Sequence, residues 1–160
     1  MTIKAGDKVP AATLYEMGPD GPAAVSTDEL FGGKKVVLFG VPGAFTPTCS
    51  AQHLPGFKNL AEQIKAKGVD EIVCFAVNDA FVMGAWGKDQ GIGGEVRMIA
   101  DGSGELTQKM GLELDLIGRG LGTRSERFAM IVDDGVVQSI DVEAPGVFEV
   151  SSAEAQLSKL

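Results

Sequence analysis

The chain has 160 residues, 44% of them hydrophobic and 22% charged, which is enough for one globular domain over residues 1–160 and excludes a disordered chain. Two cysteines exclude a disulfide scaffold, and with only one histidine they cannot complete a tetrahedral nitrogen–sulfur zinc cage. A net charge of −8 lacks the basic footprint of a nucleic-acid binder, so no nucleic-acid partner is expected.

The N-terminal stretch MTIKAGDKVP has no apolar run of the secretory type. Residues 11–17 and 23–25 read as a short hairpin around Gly18-Pro19-Asp20-Gly21. Ser26-Thr-Asp-Glu29 is a capping-box pattern that starts a short helix ending near Gly32-Gly33. Lys35–Val41 (KVVLFGV) is a near-continuous apolar run, expected to be a central strand covered on both faces. Residues 47–67 place Leu54, Phe57, Leu60, Ala61 and Ile64 at helical spacing, with Gly68 past the end and Pro55 predicting a kink or irregular turn.

Glu71–Val77 (EIVCFAV) reads as a second buried strand, residues 79–88 as a helix, 96–100 as a short strand and 104–110 as a helix. Residues 119–127 read as a basic loop. Residues 128–132 and 136–142 flank Asp133-Asp134-Gly135, a strong hairpin signal, and residues 152–160 can form a closing helix. Strands alternating with helices and a late hairpin predict an α/β fold with a mixed central sheet flanked by helices, in the element order of the thioredoxin-like fold. From Val36 to Phe57 there are 22 residues without a charge, but three prolines and three glycines break the run. No membrane span is expected there; a buried strand leading into a shielded site fits better.

That site is Val41-Pro-Gly-Ala-Phe-Thr-Pro-Thr-Cys49. After the strand, Thr46 suits the helix N-cap and Pro47 the first helical position, because proline's missing N–H costs nothing there. Cys49 then falls in the first turn, beside unpaired backbone N–H groups and the positive end of the helix dipole, and both favour thiolate over thiol. Thr46, three residues earlier, can offer its hydroxyl to the Cys49 amide or to whatever sits on the sulfur. A plain buried cysteine at an ordinary helix start is the competing reading.

Pro42-Gly-Ala-Phe-Thr46-Pro-Thr-Cys49 resembles the peroxiredoxin signature P-x-x-x-T-x-x-C. GVPGAFTPTCSAQHLPGF, with VNDAFVMGAWG at 77–87 and RFAMIVDDG at 127–135, is similar to the peroxiredoxin 5 (type II) subfamily from about residue 3 to Leu160. The resemblance implies that Cys49 is the peroxidatic cysteine, that Thr46 hydrogen-bonds sulfur and peroxide, that Pro42 shields the pocket, and that Arg127 is the active-site arginine. It implies a thiol-dependent peroxidase acting on hydrogen peroxide and alkyl hydroperoxides, a homodimer in the cytoplasm, with no bound cofactor and no metal.

Cys74 lies in the middle of EIVCFAV, far from a C-x-x-C spacing, and reads on its own as a core residue. The resemblance adds another possibility, since plant type II members assign a cysteine at this spacing as the resolving partner. Animal members carry theirs near the C-terminus, where Val147–Ser152 has none. Either Cys74 resolves after local unfolding or an external thiol does, with glutathione and glutaredoxin favoured and thioredoxin possible. His53, four residues after Cys49, suggests a Cys–His nucleophile pair; a helix histidine packing or hydrogen-bonding near the site is preferred. Gly118-Arg-Gly-Leu-Gly122 lacks the spacing of a dinucleotide loop. A thioredoxin-like disulfide oxidoreductase and a non-enzymatic, chaperone-like module remain as alternatives.

Overall fold

In the computed structural model, which describes residues 1–160, β1 (Thr13–Gly18) and β2 (Gly21–Ser26) form an antiparallel pair. Ser26 then caps α1 (Thr27–Phe31) through a reciprocal capping box with Glu29, as the sequence predicts. β3 (Lys35–Val41) runs to the edge of the site. α2 (Leu54–Lys65) returns antiparallel to it and leads to β4 (Glu71–Ala76), which pairs in parallel with β3. α3 (Ala80–Asp89) and β5 (Arg97–Ala100) repeat the crossover, and α4 (Glu105–Lys109) follows.

β6 (Glu113–Leu116) and β7 (Gly122–Ser125) make a separate two-stranded ribbon. β8 (Phe128–Asp133) and β9 (Val136–Val142) form the expected hairpin, with Asp134 and Gly135 both at positive φ, the conformation an Asp-Gly turn provides. α5 (Ala153–Leu157) closes the chain. Strands order as β2-β1-β5-β4-β3-β8-β9, with parallel β5-β4-β3 flanked by antiparallel pairs.

Period-two alternation splits the core between the two faces of this sheet. Val37, Phe39 and Val41 of β3 point with Ile72, Cys74 and Ala76 of β4 into a layer closed by α2 and α3. Val36, Leu38, Val73 and Phe75 point the other way, against Leu30 and Phe31 of α1 and Leu106 of α4. At the sheet's edge, Arg97 donates to both Glu16 carboxylate oxygens and to Glu71, joining β1, β4 and β5. Gly40 is required by a close approach, because a Cβ there would lie 2.1 Å from the Phe128 ring across the β3–β8 pair.

Three expectations need correction. The helix expected to reach residue 67 ends at Lys65, and the irregular turn expected of Pro55 is present as a π-turn over Cys49–His53, the Leu54 N–H bonding the Cys49 carbonyl. Pro55 supplies the reason, since it has no N–H for the preceding turn, and the irregularity is placed just ahead of it. Residues 119–127 are not simply loop. Ile117–Arg119 is a 3₁₀ turn and Gly122–Ser125 is β7, whose partner β6 (ELDL) alternates polar and apolar residues over only four positions. The closing helix is shorter than residues 152–160, with Ser152 as its cap.

Candidate active site

β3 ends at Val41 and the chain turns through Pro42–Phe45 before Thr46. The turn is held from three sides. The Ala44 N–H donates to the Asn78 side chain at 2.9 Å, the Thr46 hydroxyl donates to the Gly43 carbonyl at 2.7 Å, and Arg124 of β7 donates to the Pro42 and Leu121 carbonyls. Gly43 allows this, since a Cβ there would stand 2.8 Å from the Arg124 guanidinium. Phe45 sits at φ 64, a conformation a bulky residue rarely adopts and keeps only where its surroundings impose it. The Ser50 N–H bonds the Thr46 carbonyl at 2.9 Å, so Thr46 stands at the N-cap and Cys49 in the first turn.

Cys49 is fully buried, and its sulfur accepts a hydrogen bond from the Arg127 guanidinium (Nη2–Sγ 3.0 Å). Arg127 immediately precedes β8 and so arrives from the opposite side of β3. Its other terminal nitrogen, Nη1, lies 2.9 Å from Nδ1 of His53. His53 Nε2 lies 2.9 Å from the Ser151 carbonyl. A carbonyl cannot donate and a guanidinium cannot accept, so the two contacts together fix His53 as neutral, protonated on Nε2. Burial, reinforced by the neighbouring Arg127 charge, lowers the His53 pKa to about 3, against the opposing pull of Ser151 and Glu143. His53 packs against Phe39, Phe57 and Phe148, ring centroids 4.8, 5.6 and 5.0 Å away, and the Arg127 guanidinium lies 5.9 Å over the Phe148 ring. His53 therefore engages the arginine and not the thiol, so the pairing needed for a Cys–His nucleophile is absent.

A cavity of about 710 Å³ opens beside Arg127, its walls including Pro42, Leu114, Leu116, Glu143 and Phe148. Glu143 is only 7% exposed, and its Oε2 takes three donors: the Glu149 N–H, the Ser151 N–H and the Ser151 hydroxyl at 2.7–2.8 Å. Burial raises its pKa, but the bonds from Ser151 and Glu149 outweigh that and hold the carboxyl below the ordinary range. Sequence reasoning passed over Glu143. Its only signal was a lone carboxylate in the Pro/Gly-containing stretch that follows a strand. Arg124 was also passed over, being one of four arginines until the fold set it against the Pro42 turn.

Cys74 stands apart from these contacts. It faces the same core layer as Cys49 and is also a free, fully buried thiol. It sits on β4 opposite Phe39 and Met98. Burial pushes its thiol well above the ordinary range; Cys49 adds to that and Arg127 opposes it.

The Redoxin family profile matches residues 4–157. The chain is 54% identical to Peroxiredoxin-2B of Arabidopsis thaliana over 159 residues, covering 99% of this chain and 98% of that protein. Among solved structures, reduced Prx3 of Vibrio vulnificus in complex with H₂O₂ superposes with a TM-score of 0.95 at 54% identity, covering 99% of both chains. Peroxiredoxin 5 of Alvinella pompejana superposes with a TM-score of 0.86 at 38% identity, covering 98% of this chain and 96% of that one. A thioredoxin-like sheet with a buried cysteine at its strand-to-helix turn, matched over essentially its whole length by these relatives, makes this chain a type II peroxiredoxin of the Redoxin family, a thiol-dependent peroxidase.

Proposed function

We propose that Cys49 is the peroxidatic cysteine and Arg127 the group that stabilises charge during its oxidation. The observation that carries this reading is the guanidinium donating to a fully buried sulfur. The Cys49 thiolate attacks the terminal oxygen of a hydroperoxide: the S–O bond forms, the O–O bond breaks, and the departing alkoxide or hydroxide takes a proton from water. Negative charge passes from sulfur to the leaving oxygen, where a guanidinium already in place lowers the barrier without reorganising. Thr46, having committed its proton to Gly43, presents lone pairs that accept the peroxide O–H. Pro42 walls the pocket and offers no N–H to water.

The cavity lies beside Arg127 rather than on Cys49 itself and is many times the ~30 Å³ of a water molecule; its Leu, Val and Phe walls could take the tail of an alkyl hydroperoxide, so alkyl hydroperoxides as well as hydrogen peroxide are the proposed substrates. For recycling, an external thiol attacks the Cys49 sulfenic acid, giving a mixed disulfide and water, and a second thiol releases Cys49. Glutathione with glutaredoxin is the favoured reductant and thioredoxin the alternative. Cys74, protonated and enclosed, serves as a core residue. No helix is long and apolar enough to cross a membrane, and two free thiols suit the reducing cytoplasm.

A homodimer is the state the family resemblance favours, and Phe45, Phe81 and Ile117, 52%, 65% and 66% exposed, are apolar side chains such an interface could cover. The test is peroxide consumption with glutathione plus glutaredoxin against thioredoxin, for wild type, Cys49→Ser and Cys74→Ser. Cys49→Ser should be inactive and Cys74→Ser active with glutaredoxin. Retained turnover in Cys49→Ser would sink the assignment.

A further inference from the structure

Arg127 can stabilise charge on sulfur only while its planar fork keeps one orientation, and the structure contains a chain of contacts that fixes it. Arg127 Nη2 is on Cys49, and Nη1 is on the Nδ1 lone pair of His53. That lone pair exists only while the His53 proton stays on Nε2, and Nε2 holds it because the Ser151 carbonyl accepts it. The Ser151 carbonyl stands there because Glu143 takes the Ser151 N–H, the Ser151 hydroxyl and the Glu149 N–H on one oxygen. The Glu143 N–H in turn bonds the Arg127 carbonyl at 2.9 Å, so the anchor and the arginine backbone are held together. The chain closes on itself from Glu143 through Ser151, His53 and Arg127 to Cys49.

We infer that Glu143 is a positioning residue for the peroxidase reaction, acting through Ser151 and His53 on the orientation of Arg127. The inference rests on the assignment of Cys49 and Arg127 above. Its role is one of reach. A carboxylate at this distance pins the 149–151 segment, whereas its charge is spent on three local donors. Arg127 itself lies beyond Ser151 and His53 in the side-chain sequence.

Two variants separate reach from charge. Glu143→Asp keeps the charge and withdraws the oxygen by one methylene; Glu143→Gln keeps the reach and removes the charge. Glu143→Asp should slow Cys49 oxidation by peroxide about tenfold or more, since small displacements of a catalytic group cost up to about 10²-fold. Glu143→Gln should stay within about threefold of wild type, because an amide oxygen, with two lone pairs, still accepts the two backbone N–H groups that place the 149–151 segment, while the Ser151 hydroxyl is free to turn elsewhere. Glu149→Gln removes a neighbouring charge without touching the backbone N–H that Glu143 uses, and should leave the rate unchanged.

The second readout is the ¹⁵N spectrum of the imidazole, unambiguous because His53 is the chain's one histidine. Wild type and Glu143→Gln should show a single Nε2–H tautomer and Glu143→Asp a mixture. Fluorescence of the single tryptophan, Trp86, whose indole N–H donates to the Ser50 hydroxyl at 2.9 Å, checks that each variant is folded around the site. The inference is overturned if both variants react within twofold of wild type. It is equally overturned if Glu143→Gln is slow and Glu143→Asp normal, or if the rate falls with the His53 spectrum unchanged. Peroxide consumption by Cys49→Ser would overturn the parent assignment instead, and the tautomer in Glu143→Asp would still read the Glu143 contact on its own.

Discussion

Cys49 and Cys74 are both fully buried, both free, and both in the core layer between the sheet and α2. Their surroundings differ in what they offer a negative sulfur. Cys49 lies on a π-turn with the Arg127 guanidinium on its sulfur; Cys74 lies in the middle of β4 between β3 and β5, where burial makes the thiolate costly. Burial alone therefore does not set what surroundings a cysteine sulfur meets. Directed donors set the two apart, and helix starts and strand-to-strand corners supply them more readily than strand centres.

The largest expected effect breaks the contrast from the Cys49 side. Arg127→Met, which keeps the aliphatic stem and removes the donors, should cost about 10²–10³ in the rate of peroxide reduction, or about 3–4 kcal/mol of barrier. Stopped-flow oxidation of Cys49 measures it, and a loss under tenfold would mean the guanidinium is not the main stabiliser.

His53 gives a pH signature on the same side. Its folded pKa of about 3 lies below the ordinary 6.5, so the unfolded chain binds the proton more readily. The stability this group contributes is complete above pH 6.5 and is lost as pH falls from 6.5 towards 3. The slope approaches about 1.4 kcal/mol per pH unit, or about 2 kcal/mol between pH 6.5 and 5. Urea unfolding of wild type and His53→Asn at these two pH values should show that difference in slope; parallel curves would contradict a neutral, buried imidazole.

The smallest effect sharpens the contrast from the other side. Cys74→Ala should cost about 1 kcal/mol of stability through lost packing and leave glutaredoxin-supported turnover within about twofold. A lost turnover with normal stability would make Cys74 a participant in recycling rather than packing.

The parts of this molecule that were legible in the sequence are those where one segment carries its own signal. The continuous apolar runs of β3 and β4, the Ser26–Glu29 capping box and the Asp134-Gly135 turn each encode their structure within a few residues. The Thr46–Cys49 helix start is of the same kind, with cap, proline and cysteine in four consecutive positions. β6 and β7 were not legible because each is four residues long, half exposed, and defined only by the other. The π-turn was legible in part: Pro55 announces an irregular turn, but no residue type says that the irregularity is a bond from Leu54 to Cys49, five residues back. Glu143 and the role of His53 were hidden for another reason: their partners lie 8 and 74 residues away, at Ser151 and Arg127, and only the folded sheet brings the start of β8, the end of β9 and the π-turn to one point.

The π-turn at Cys49–His53 amounts to one residue more than a regular helix would use over that stretch. Each residue of an α-helix advances the chain by about 100°. Deleting Ala51, which is exposed, would let the turn relax to α-helical pitch while α2 kept its grip on Phe39 and Ile72. Cys49 and Leu54, which already bond across the wide turn, would then be joined by an ordinary four-residue α-turn, so the Cys49 sulfur would keep nearly its direction towards Arg127. The wide turn thus takes up one extra residue without turning the first turn away from the body of the helix: a chain shortened by one residue here would be expected to fold with its sheet intact and Cys49 still facing Arg127.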